Sequence, residues 1–342
     1  MAVSDHPSTM IMTRWIAGFA VAAGLSLGAP GVASANNTLR IATLAPKNSA
    51  WGKVFKAWAG AVEKKTEGKL KPEVYYNAVQ GDETAMVSKL KTGQLDGAAL
   101  TSVGLSLIYR NVLVMQLPGV IDSWALLDKV RGDMHTELEQ GFEKEGFRIG
   151  SWGDVGLVRQ MTKGVAIRRP SDMKNQRPAV WRNEPMGPIV YASLGTIVPV
   201  PVSVPEMLPA LRSGKVNVVN APALAAEQLQ WVPYFDHIGS NVTVCAVGGT
   251  LFRKKALDDL PADVKASLDE VQARLAKTNA NRVRKLDEEA YERMKQKMEV
   301  VELSAADRAE WAKVLRNAVT RLSQGTFDKN LVDRVLKLAG KS

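Results

Sequence analysis

The order of elements in this chain predicts two consecutive α/β lobes, each a sheet flanked by helices, with long C-terminal helices bracing both. Three observations carry that prediction. Strand and helix signals alternate over residues 39–101, a second alternating set covers residues 178–220, and one helix–glycine–strand unit occurs in both sets.

Residues 39–42 read as a short strand. Trp51, Val54, Phe55, Trp58 and Val62 then recur at i, i+3, i+4, i+7 and i+11, a single helical stripe. Gly68 ends that helix, and residues 73–76 read as the second strand. Asp82 caps a helix carrying Met86, Val87 and Leu90, which stops at Gly93; residues 95–101 make the third strand. A βαβαβ run of this kind predicts a parallel sheet with helices on its faces. A helix over 124–144 and a strand over 147–152 follow. In the second set, residues 178–182, 197–202 and 216–220 read as strands, with helices over 186–194 and 204–213 between them. Beyond Leu260 the chain reads as helical almost to its end. One stripe is Val264, Leu268, Val271 and Leu275; another is Trp311, Val314, Leu315, Ala318 and Leu322, with a glutamate- and lysine-rich solvated helix between them.

The repeated unit is Met86, Leu90, Gly93, Leu95 and Asp96 in the first set. Met207, Leu211, Gly214, Val216 and Asn217 match it at the same spacing. Each glycine stands where a helix C-terminus needs positive φ, and the apolar residue after it enters a sheet. The boundaries that follow are a leader over 1–35, lobe 1 over 36–150, lobe 2 over 151–250 and a C-terminal helical segment over 251–342. Two such lobes facing one another enclose a cleft. Ligands of open α/β sheets bind beyond the strands' carboxyl ends, and clefts between domains are common sites. Hinge closure around a solute is an established motion of such molecules.

The chain has 342 residues, 46% of them hydrophobic, which suits two packed domains. Arg14 precedes an apolar run over residues 15–27 that contains no acid and ends near Gly28 and Pro30. Ala33-Ser34-Ala35 is a pattern that signal peptidase accepts, with Asn36 as the first mature residue. That reading places the mature protein in the periplasm. The run is too short for a comfortable bilayer span of roughly 20 residues, and no later stretch is apolar enough to insert stably. Translation starts at Met1, Met10 or Met12. Cys245, the single cysteine, lies in an apolar strand-like run and reads as a buried thiol. The formal charge of +10 is unchanged by loss of the leader, which carries one Asp and one Arg. Because the basic residues are scattered among acids, without a dense block or interleaved aromatics, they read as a solvated surface and no nucleic-acid partner is expected.

Nothing in the motifs points to catalysis. Of three histidines, His6 is in the leader, His135 sits on a charged helix and His237 reads as part of a turn. Metal-ligand spacing, a nucleophile elbow, a phosphate loop and a dinucleotide fingerprint are all missing, so no cofactor, metal or catalytic residue is expected. Dispersed carboxylates are the remaining route to acid–base chemistry.

Residues 39–275 resemble the DctP-type solute-binding proteins of tripartite ATP-independent periplasmic (TRAP) transporters. The resemblance rests on Lys89-Leu90-Lys91-Thr92-Gly93-Gln94-Leu95-Asp96-Gly97 and Glu145-Gly146-Phe147-Arg148 leading to Trp152. It continues through Arg159, Pro170-Ser171-Asp172-Met173-Lys174, Leu194-Gly195, Pro199-Val200-Pro201, Glu206, Gly214-Lys215-Val216-Asn217 and Pro222. It implies a two-lobed periplasmic-binding-protein-like fold with a long C-terminal helix. It also implies a small-molecule ligand and a pair of integral membrane subunits that receive the solute, driven by an ion gradient.

Departures from the family pattern bear on the ligand. An Arg that holds the solute carboxylate bidentately is implied seven residues after Asp172, and Ala179 stands there. Side chains alternate along a strand, so Trp181 shares the face of Ala179, and Arg182 replaces the anchor only if the strand ends or bulges. Arg159 stands where the family often has an assisting Arg; contact with an anion and a surface ion pair are both open. Asn217 and Asn220 stand where the family tends to carry acids. Further candidates for the cleft wall are Trp51, Thr101, Ser102 and Trp152, whereas Tyr191 and Phe252 read more as core. Two ligand classes remain: a small organic carboxylate held by Arg159 or Arg182, or a more apolar molecule stacked on Trp181 and Trp51 with Asn220 orienting it. The missing Arg favours the second. Rival functions are a secreted hydrolase, which close-set acids on the cleft floor would favour, and a sensor or scaffold subunit, which a collapsed cleft would favour.

Overall fold

Alternation of strands and helices begins at once in the computed structural model, which describes residues 37–195 and 197–341. The leader therefore lies outside the described residues. β1 (Asn37–Thr43), α1 (Ala50–Lys65), β2 (Leu70–Tyr75), α2 (Glu83–Thr92) and β3 (Gly97–Thr101) make the first set. β1 pairs in parallel with both β2 and β3, as crossover helices require. Caps define the helices: Ser49 accepts from the Gly52 N–H at 3.0 Å and Asp82 from that of Ala85 at 3.0 Å. The α1 stripe buries Trp58 and Val62 against Leu39 and Ile41.

A short helix α3 (Ser102–Ser106) and α4 (Trp124–Lys144) lead to β4 (Phe147–Thr162). The second set follows: β5 (Ala179–Trp181), α5 (Met186–Ala192), β6 (Val200–Val202), α6 (Val204–Arg212), β7 (Val218–Pro222), α7 (Ala223–Gln228), β8 (His237–Gly239) and β9 (Val244–Arg253). The chain closes with α8 (Lys254–Asp258), α9 (Ala262–Lys295), β10 (Glu299–Val301), α10 (Ala305–Ser323) and α11 (Lys329–Leu338).

The strand read over residues 147–152 runs on to Thr162. It pairs antiparallel with β9 from Phe147 to Val158 and with β7 from Val158 to Thr162. The sheets of the two halves are therefore joined, in the order β10-β8-β4-β9-β3-β1-β2 with β7 also on β4, while β5 and β6 form a separate pair. Two register shifts, at Ile149/Ser151 and Asp154/Gly156, let one strand serve both halves. Gly156, at φ 152°, sits at the second shift. β8 and β10 interrupt stretches that read as turn and helix; at three residues each, they are too short to show a period.

The repeated helix–glycine–strand unit persists down to single hydrogen bonds. Leu95 N–H donates to the Lys89 carbonyl at 3.1 Å and Val216 N–H to that of Ala210 at 3.2 Å. Asp96 accepts from the Arg40 N–H at 3.0 Å and donates its own N–H to the Arg40 carbonyl; Asn217 repeats both bonds with Arg177. Helix α9 braces both halves. Its Val264, Leu268 and Val271 pack with Leu39 and Ile41, and its Val283, Ala290 and Met294 pack with Val219 and Trp231.

Candidate functional site

A cavity of about 1100 Å³ lies between the two halves, a little above the usual range for small-molecule sites. The first half contributes the carboxyl ends of β1 and β3, Thr43 and Thr101 among them, together with Trp51 and Phe55 of α1. The second half contributes Ala179 and Trp181 of β5, Asn220 at the end of β7, and Leu229. Trp152 of β4 and Gln272 of α9 complete the wall.

Of the nine residues predicted at the site, seven line this cavity: Trp51, Thr101, Ser102, Trp152, Trp181, Arg182 and Asn220. Trp181 shares the buried cluster of Ala179, as strand alternation requires, and tilts against Trp231 at 6.2 Å between ring centroids. Asn220 donates to the Tyr191 hydroxyl at 3.0 Å. Thr101 is committed elsewhere: its hydroxyl donates to Glu83 at 2.8 Å and accepts from the Val103 N–H, capping α3. Trp152 sets its ring edge-on to Phe142 and leaves its indole N–H buried without a partner.

Arg159 and Asn217 do not line the cavity. Val158 and Gln160 line the cavity, so Arg159 between them faces the opposite side of the sheet, against α9. There its guanidinium lies 3.8 Å from the Tyr291 ring centre and 3.6 Å from the Glu288 carboxylate. Asn217 is the clamp of the repeated unit. It accepts from the Arg177 N–H at 2.8 Å and donates to Gln176 at 2.8 Å, away from the cavity. Sequence position suggested a wall residue; the equivalence to Asp96 shows a structural one.

Arg182 reaches the wall, but its guanidinium is taken by Glu206, which also accepts from the Ser203 N–H at 2.8 Å. Of the other basic residues at the cavity, Lys341 pairs with Asp122 at 2.9 Å, and Arg308 and Arg316 lie exposed on α10. Asp154, buried on the wall, is held between Arg131 and Arg284. Glu83 and Glu184 also line the cavity, and burial raises both carboxyls, Glu83 to about 7. Sequence reading missed both. Glu83 looks like an ordinary first-turn acid after its Asp82 cap, and Glu184 like a polar loop residue. Among the described residues, no group of three or more His, Cys, Asp or Glu side chains is placed to hold a metal ion. No helix there is long and apolar enough to cross a membrane.

The family model for the bacterial extracellular solute-binding protein, family 7 (DctP), matches residues 41–325. The chain belongs to that family. Among curated relatives, a solute-binding protein from Verminephrobacter eiseniae is 26% identical over 255 residues, 73% of this chain and 75% of the relative. Among solved structures, the sugar-acid-binding protein DctPAm from Advenella mimigardefordensis, in complex with galactonate, superposes with a TM-score of 0.83. Its identity is 20%, over 89% of this chain and 98% of that one. A TRAP periplasmic solute-binding protein from Sulfurospirillum deleyianum with bound succinate gives a TM-score of 0.82 at 16% identity, covering 89% and 99%. The family 7 protein thus has the two-lobed fold of TRAP solute-binding proteins. It is a solute-binding protein whose cavity lies between the lobes.

Proposed function

We propose that this family 7 protein is exported to the periplasm, captures a largely apolar organic solute between its lobes, and hands it to integral membrane subunits without chemical change. The signal-like leader and the family's extracellular role support export. Lobes over 36–150 and 151–250 close about the crossing strands β4 and β9, with residues 251–342 packed on both. Trp51 and Trp181 stack the solute, Asn220 orients it, and Ser102, Thr101 and Trp152 complete the wall.

One observation carries the ligand class: among the described residues that line the cavity, the basic side chains without an acidic partner, Arg308 and Arg316, lie exposed on α10, and no buried one is free to hold a carboxylate. Ala179 occupies the anchor position, Arg182 is paired with Glu206, and Arg159 faces Tyr291. Anion recognition in buried sites relies on charge-assisted donors such as bidentate Arg, so a small dicarboxylate would enter at a loss of solvation. The hydrolase reading gains nothing here. The carboxylates of Glu83 and Glu184 accept from backbone N–H groups, and Asp154 is neutralised by two arginines.

A thermal-shift screen tests the proposal. A ligand at about 100 times its Kd adds roughly 2.7 kcal/mol of stability, a shift easily read. Aromatic or lipid-like compounds are expected to stabilise the protein where succinate and galactonate do not. Stabilisation by the two acids alone would overturn the reading.

A further inference from the structure

Resting on that reading of the cleft, the charges on its wall say more about the occupant. Buried charges in proteins are normally paired, because taking an ion out of water is unfavourable by several kcal/mol. Glu83 and Glu184 are 8% and 9% exposed, and both line the cavity. Glu83 accepts from the N–H and hydroxyl of Thr101 and from the Gly104 N–H. Glu184 accepts from the N–H groups of Met186 and Gly187, at 2.6 and 2.8 Å. Among the described residues neither has a Lys, Arg or His as an ion-pair partner, and the charge that acts on Glu83 is Asp82, which repels it. The two acids come from opposite sides of the cleft. Their chain neighbours, Thr84 and Asn183, join those sides through a hydrogen bond of 3.0 Å.

Two further acceptors stand on the wall. The side-chain oxygens of Gln116 and Gln272 are buried without a donor, and Gln272 is only 5% exposed. Among the described residues that line the cavity, the one buried donor without a partner is the Trp152 indole N–H; the unpartnered nitrogens of Arg159 and Arg253 belong to residues off the wall. An ammonium group offers three donors and no acceptor, and indole faces attract cations. We propose that the cleft takes an organic cation, a protonated amine on an apolar, ring-bearing skeleton, with its ammonium against Glu83 and Glu184 and its body on Trp51 and Trp181. This is the opposite charge preference to that of the neighbouring proteins that hold galactonate and succinate.

Isothermal titration of the full mature chain with tryptamine, tryptophol and indole-3-acetate tests the proposal on one ring system. At pH 8 the amine should bind at least about tenfold tighter than the alcohol, and the acetate most weakly. The amine's advantage should shrink toward pH 5.5 as Glu83 takes up a proton, a readout on the wild-type protein that needs no variant to fold. Glu184→Gln should reduce the same advantage. An alcohol that binds as tightly as the amine overturns the cation assignment and leaves the apolar-solute reading standing. Tightest binding of the acetate overturns both.

Discussion

At Glu83 the hydrogen bonds from Thr101 and Gly104 do not make up for the water lost on burial, so the carboxyl rises from its ordinary 4.5 to about 7. Because the folded value lies above the unfolded one, the neutral form's contribution to stability is fully present below about pH 4.5. It is lost as pH rises through about 7, a change of about 3 kcal/mol. Glu83→Gln cannot ionise. In urea denaturation, the stability difference between wild type and this variant should therefore move by about that amount between pH 4.5 and 7.5, in favour of the variant at high pH. Parallel pH curves for the two proteins would show that Glu83 is not held in this way. The charge of a side chain says little by itself: Arg159 and Arg182 are both cations near the cleft, yet one is stacked on Tyr291 and the other is paired with Glu206.

Among elements, β4 decides the most. Its 16 residues carry the sheet from one half to the other, and Asp287 of α9 fastens the middle of the span. That carboxylate accepts from the Leu157 N–H at 2.7 Å and the Leu224 N–H at 3.0 Å, tying α9 to β4 and α7. Gly156 leaves room for it: a Cβ there would lie 2.4 Å from the Pro222 Cβ and 2.6 Å from the Asp287 Oδ1, at a φ of +152° that side chains avoid. Gly156→Ala should thus destabilise the protein by at least about 2 kcal/mol, seen as a fall of several degrees in calorimetric Tm. An unchanged Tm would mean that the strand bends without using this glycine.

In the whole molecule, closure is a population to be shifted. Among the hydrogen bonds that link the halves are two from residues off the cavity wall: the Ala50 N–H to Gln228 at 3.1 Å and Asn183 to Thr84 at 3.0 Å. Neither Gln228 nor Asn183 lines the cavity. Replacing both by Ala should favour the open form and weaken ligand affinity several-fold while the wall stays intact, since affinity falls with the fraction of competent molecules. Small-angle scattering should show a larger radius of gyration for the unliganded double variant than for wild type. Equal radii and equal affinities would mean that these contacts do not control closure.

Local rules were enough for much of this protein. Periodicity, caps and Gly93 and Gly214 mark its α/β halves, and motif order marks its family, because turn chemistry and strand pairing act over a few residues. The vacancy at Ala179 was equally plain, as was the shared face of Trp181. What lay beyond reach were facts about partners distant in the chain. The continuation of β4 through both halves depends on β7 and β9, 56 or more residues later in sequence at every pairing. Which way Arg159 faces, what Arg182 is paired with, and that Glu83 and Glu184 are buried across from one another are decided by packing, which sets dielectric and partner together and leaves no pattern in a linear sequence.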